Sequence, residues 1–238
     1  MIYYTVNIGN YIEDLQAPSW VQVITEVEES TGDMVRDSRI PKIRCPFSGP
    51  SVYIDASRVH FLNKKFRDLS EEIFEKHDLF VLQHPHEHTY IEECAEYIQR
   101  GWVSEEDIFS FTNYVNPFYD FSKHFQSMGT VIWRRDQKDF NDRWWDLYLR
   151  GGVRDQLSMA VALPKKYGHA PCRQFINQFS DASPEGIWWK IRQGDYKRIV
   201  EKDPHDAALR LCKKTGLSRF RYRTRLSSKG ELLIGKTT

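Results

Sequence analysis

Ser51-Val52-Tyr53-Ile54-Asp55 is the stretch whose reading decides the fold. It is a short β-branched and aromatic run that stops on a carboxylate, the pattern of a strand buried inside a sheet. In an open α/β sheet, ligands gather beyond the carboxyl ends of strands, so Asp55 falls where a functional acid is expected. The competing reading is a turn in which Asp55 only caps the backbone that follows. Outward from this run, residues 3–8 alternate and close on Gly9-Asn10, and residues 21–27 read as a second strand. Leu79-Phe80-Val81-Leu82 and Thr130-Val131-Ile132-Trp133 are further buried-strand patterns. Helical spacing occupies 69–77, 89–100, 104–114 and 140–149, and another apolar helix starts at Arg154-Asp155-Gln156. Strands alternating with helices predict α/β layers.

The chain has 238 residues, and its middle contains no linker-like tract, which favours one domain. Apolar residues make up 40% and aromatics 14%, enough for a substantial core, so disorder is not expected. The first fifteen residues lack a basic start and a long apolar centre, and no later run approaches the roughly 20 apolar residues of a membrane helix. A cytoplasmic protein is expected. Cys45, Cys94, Cys172 and Cys212 show no C-x-x-C spacing and fit reduced thiols.

Charge is uneven. From Lys190 onward fourteen Lys or Arg stand against five Asp or Glu, which separates a basic extension (190–238) from a core (1–189). Within it Arg219-Phe220-Arg221-Tyr222-Arg223-Thr224-Arg225 alternates strictly, so a strand would carry Arg219, Arg221, Arg223 and Arg225 on one face. That face suits a polyanion, or is a solvated strand edge protected against aggregation.

Other candidates carry their own alternatives. His84-Pro85-His86-Glu87-His88 offers imidazoles for a metal or a substrate loop, and Glu92 and Glu93 follow at a helix start, where acids are also favoured by the dipole. Three histidines on one metal would make a hydrolase. Arg154-Asp155-Gln156 is either a structural ion-pair cluster or a reacting centre. In the second case Asp155 accepts a proton or steadies positive charge on a sugar, while Gln156 fixes hydroxyls. Trp144-Trp145 and Trp188-Trp189 are core, or walls for a base or sugar ring. Phosphate-loop, dinucleotide-loop, nucleophile-elbow and zinc-protease motifs are missing from the sequence.

In order, these segments resemble a glycosyltransferase family, formerly a domain of unknown function, that includes plant mucilage-related and bacterial polysaccharide enzymes. The residues that carry the resemblance are Tyr4-Thr5-Val6-Asn7-Ile8-Gly9-Asn10-Tyr11, Tyr53-Ile54-Asp55-Ala56-Ser57, His84-Pro85 with Glu92-Glu93, Val131-Ile132-Trp133-Arg134-Arg135, Trp144-Trp145, and Arg154-Asp155-Gln156-Leu157-Ser158. It spans residues 3–160. Two positions depart from the family pattern: Ser57 stands where many sugar-nucleotide transferases have a second Asp, and Glu87 where an Arg is expected.

The resemblance implies a single-domain A-type glycosyltransferase fold, a Rossmann-like mixed sheet flanked by helices. It further implies transfer from a nucleotide-diphosphate sugar, a uridine diphosphate sugar first, assisted by Mn²⁺ or Mg²⁺. Thr5, Asn7, Tyr11, Arg44, Asp55 and Ser57 would bind the donor, and Asp55 the metal. Asp155 would face the reacting carbon, supported by Arg154, Gln156, His84 and Glu92. The basic extension makes DNA bearing a hydroxymethylpyrimidine one candidate acceptor, and a glycan the other. A non-catalytic nucleic-acid-binding protein on a transferase-like core is the remaining reading.

Overall fold

In a computed structural model of the chain, residues 1–84, 89–121, 129–151, 154–171, 222–226 and 232–236 are described. Strands β1 (Ile2–Val6), β2 (Val21–Ile24), β3 (Pro50–Ile54), β4 (Leu79–Gln83), β5 (Val131–Arg135) and β6 (Gly168–Pro171) form one sheet in the order β2-β1-β3-β5-β4-β6. β1 pairs in parallel with β2 and β3, and β4 with β6, while β5 runs antiparallel to both β3 and β4. Five strands therefore point one way and β5 the other. The sheet is mixed, and helices flank it, as the sequence pattern predicts for α/β layers.

Both faces are buried, which explains why the central strands read as continuous apolar runs. Tyr3, Val52, Ile54, Phe80, Leu82, Val131 and Trp133 pack on one face against Phe66, Ile73 and Phe74 of α2 (Lys64–Lys76). Their alternates Tyr4, Val6, Tyr53, Leu79, Val81 and Ile132 point the other way. They meet residues of α1 (Met34–Arg44), α3 (Tyr90–Gln99), α4 (Glu105–Val115), α5 (Lys138–Leu149) and α6 (Asp155–Ala162). Among the described residues no helix is long and apolar enough to cross a membrane.

Helix α1 is the element that the sequence pattern does not announce. Asp33 caps its start by accepting from the backbone N–H groups of Val35 and Arg36, and Asp37 accepts from Ser30 Oγ and Thr31 Oγ1 to pin the preceding loop. Its other end is held by a side chain of the sheet face on which it packs. Arg134 of β5, 1% exposed, donates to the carbonyls of Lys42 and Ile43, to Tyr4 Oη and to Asn141 Oδ1. Tyr4 Oη in turn donates to the Pro41 carbonyl at 3.2 Å. A buried guanidinium thus meets the negative end of the helix dipole instead of a carboxylate.

The extension contributes a separate antiparallel pair, β7 (Tyr222–Leu226) and β8 (Leu232–Lys236). Arg223 and Arg225 belong to β7. Arg219 and Arg221 lie outside the described residues, as do His86, His88, Trp188 and Trp189.

Candidate functional site at the carboxyl edge of the sheet

Three candidates directly follow a parallel strand: Asn7 follows β1, Asp55 follows β3 and His84 follows β4. Thr130, just before the reversed β5, joins them there, accepting from the Asp55 N–H at 2.8 Å.

Asp55 opens a short 3-10 turn that includes Ser57, yet its side chain makes no capping hydrogen bond. The carboxylate is committed elsewhere: Oδ1 accepts from Tyr53 Oη at 2.6 Å and from Lys42 Nζ at 3.2 Å. The simple turn-cap reading of this acid therefore fails. Asp55 keeps 29% of its side chain exposed, and Oδ2 has no hydrogen-bond partner among the described residues. Burial, then the Asp55 charge, pushes the Tyr53 phenol well above its ordinary pKa, so it remains a donor to that carboxylate.

Lys42 also reaches the second acid. Its Nζ lies 2.6 Å from Asp155 Oδ2, and Arg39 Nε lies 3.1 Å from Asp155 Oδ1. Two carboxylates one hundred positions apart in the chain are thereby joined through one ammonium. Asp155 is 5% exposed. Burial alone would raise its pKa, but Arg39 and then Lys42 outweigh burial and hold it well below the ordinary carboxylate range. A carboxylate held so strongly ionised is a weak base, so of its two expected roles charge stabilisation fits better than proton abstraction.

The start of α6 is fixed by the tryptophan helix. Trp144, fully buried on α5, donates its indole N–H to the Asp155 carbonyl at 2.9 Å and to Ser158 Oγ at 3.1 Å. This links the Trp144-Trp145 and Arg154-Asp155-Gln156-Leu157-Ser158 segments physically. Trp144→Phe removes that N–H together with part of the buried ring, so it is expected to cost about 2–4 kcal/mol in urea unfolding. An unchanged midpoint would show that the indole bond does not hold α6.

On the flank, Tyr97 of α3 donates to Gln156 Oε1, and the Arg154 guanidinium lies 5.2 Å from the Tyr97 ring centre and 4.3 Å from that of Trp102. His84 Nε2 lies 3.7 Å from Glu93 Oε2, both side chains being buried. Glu92 is used differently: its carboxylate accepts from the Thr89 N–H in a capping box at the start of α3. The acid beside His84 is thus Glu93, one position along from the expected Glu92.

The expected donor residues divide. Thr5 is fully buried on β1. The amide of Asn7 is spent on the backbone of Ile12, as donor and acceptor at 2.9 Å each, and so closes a loop. Tyr11 is 79% exposed and Ser57 is exposed. Arg44 lies at the opposite edge, lining a cleft of about 360 Å³ with Cys45, Gly49, Ser51 and Asp136. The structure brings Asp55, Asp155, Arg154, Gln156 and His84 to one edge and leaves Arg44 out. Sequence reasoning misses Arg39, Lys42, Tyr53 and Tyr97.

A divalent cation fits this donor set poorly. Asp55 and Asp155 are already balanced by Lys42 and Arg39, and the turn after Asp55 offers Ser57 and no second acid. Two unit charges about 4 Å apart near a protein surface interact by about 4 kcal/mol, and a dication beside the ammonium would meet roughly twice that repulsion. The chain matches no protein-family model, no curated protein and no solved structure.

Proposed function

We propose that the protein is a glycosyltransferase that moves a sugar from a nucleotide-diphosphate donor to an acceptor hydroxyl. The observation that carries this reading is the convergence of Asp55 and Asp155 on Lys42 beyond the carboxyl ends of a mixed sheet. Such an edge is where α/β sheets bind nucleotides, and a mixed, helix-flanked sheet accords with the A-type fold that the resemblance implies.

The chemistry follows from the groups present. As the anomeric carbon loses its diphosphate, negative charge grows on the leaving oxygen and positive charge on the sugar ring. Arg39 and Arg154 are the cations to meet the first, and the fixed carboxylates answer the second. Asp55, partly exposed and with Oδ2 available, is the group placed to accept the proton of the attacking hydroxyl or to hold donor hydroxyls. Tyr53 and Lys42 fix its orientation.

The basic composition of residues 190–238 favours a polyanionic acceptor, and DNA with hydroxymethylpyrimidines supplies both the charge and the hydroxyl. The test is a panel of nucleotide sugars incubated with such DNA or with oligosaccharides, read by product mass. Asp55→Asn is expected to lower kcat/KM by about 10²–10⁴-fold, the range for loss of a positioned proton acceptor. Wild-type turnover in Asp55→Asn removes this acid from the chemistry, and absence of transfer or hydrolysis with every donor overturns the reading. A mass increment on oligosaccharide alone assigns the acceptor as glycan.

A further inference from the structure

An acid at a strand end and an acid at a helix start normally need a shared cation to lie together. Here the shared cation is part of the chain. Lys42 Nζ contacts both carboxylates, its side chain is 5% exposed, and the Tyr53 ring centre lies 5.1 Å from it. Gly129 closes another side: its φ is +60°, and a Cβ there would stand 3.8 Å from Nζ and 3.3 Å from Gln156 Cγ. The ammonium therefore fills a tight, enclosed position.

The charges around it also count against a second cation. Lys42 and Arg39 offset Asp55 and Asp155 one for one. Arg154 is additional; it rests on the rings of Tyr97 and Trp102, and among the described residues no carboxylate forms an ion pair with it. Aromatic faces hold a guanidinium without neutralising it. Glu93, the further acid beside His84 and Tyr97, forms no ion pair with Arg154, so what remains beside the two acids is a guanidinium placed to meet an anion.

We propose that Lys42 stands in the place of a divalent cation, and that this edge binds a nucleoside diphosphate through Arg39 and Arg154 without any metal. The choice of ligand rests on the transferase reading; the role of Lys42 does not. Lys42 is a positioning residue: it holds Asp55 and Asp155 in register and meets the ligand only through them.

The experiment uses the full chain and two titrations. Uridine diphosphate is titrated calorimetrically in EDTA and in Mn²⁺, and Mn²⁺ alone is titrated by the loss of its free electron-spin-resonance signal. The expected result is an affinity for uridine diphosphate that differs by less than about threefold between the two conditions and falls at least about tenfold in Arg154→Gln. Mn²⁺ alone is expected to show no site tighter than about 1 mM. An affinity raised more than about tenfold by Mn²⁺, with the gain lost in Asp55→Asn, overturns the proposal while sustaining the donor reading. If uridine diphosphate binds in neither condition the donor reading fails, and the Mn²⁺ titration decides alone. One ion held through Asp55 then overturns the role of Lys42, and no bound ion sustains it.

Discussion

Asp155→Asn is expected to lower the unfolding free energy at pH 7 by about 3 kcal/mol, the lower end for breaking a buried ion pair. The substitution keeps shape and removes charge, leaving Arg39 and Lys42 facing an amide; Lys42 then has only Asp55 at 3.2 Å. The loss is not larger because Arg39, 25% exposed, can turn to water. The pH dependence has a definite sign. The pKa of Asp155 is depressed in the folded state, so its contribution is complete above the unfolded value of about 3.9 and fades as pH falls below it. Urea unfolding of wild type and variant should therefore differ most near neutrality and converge in acid. A constant gap from pH 7 to pH 3 would show that Asp155 acts by packing and not by charge.

Arg134→Leu carries the second large effect, about 3–5 kcal/mol, because one side chain serves four buried acceptors. Its removal leaves the carbonyls of Lys42 and Ile43, Tyr4 Oη and Asn141 Oδ1 without that donor at the floor of the cleft lined by Arg44 and Cys45. Arg134→Lys should recover little, since an ammonium cannot reproduce the planar fork that spans two carbonyls and an amide. Hydrogen exchange supplies the specific readout. Amides of Arg39, Lys42 and Ile43 should lose protection before those of β3 and β5, because the anchor lost is that of α1. Uniform loss across the sheet would mean that Arg134 stabilises the core and not the helix. Any change at Arg134 should also weaken the proposed donor binding, as α1 carries Arg39 and Lys42.

The legibility of this site in the sequence follows how each element is stabilised. β3, β4 and β5 are buried on both faces, so Val52, Tyr53 and Ile54, or Val131, Ile132 and Trp133, form runs visible without any partner. Asp55 and Asp155 are visible for the same reason, standing where an apolar run stops or starts. Helix α1 has no such signature. Its sequence, Met34 to Arg44, is mostly polar, has Pro41 inside, and exposes Met34 and Val35 while burying Asp37, Pro41, Lys42 and Ile43. Its stability comes from Arg134 and Tyr4, contacts across about ninety and forty positions of chain that no local periodicity records. Arg39 and Lys42 are therefore hidden with it. That Glu93 and not Glu92 turns inward is readable: Thr89-x-x-Glu92 is the capping-box spacing, which assigns Glu92 to the helix start. Arg44 lies apart from the others because its position depends on where α1 ends, which no local pattern records.

The reversed direction of β5 has its own consequence for how this protein can vary. Five strands deliver chain to the acid-bearing rim only as they finish, but β5 departs from it, so the polypeptide must first be carried there by whatever precedes Gly129. Gly129, where that departing run begins, sits against Lys42 Nζ and Gln156 Cγ, so a side chain there would alter the rim while every inter-strand pairing stayed in step. Diversification of what the rim admits is thus separable from the architecture that supports it.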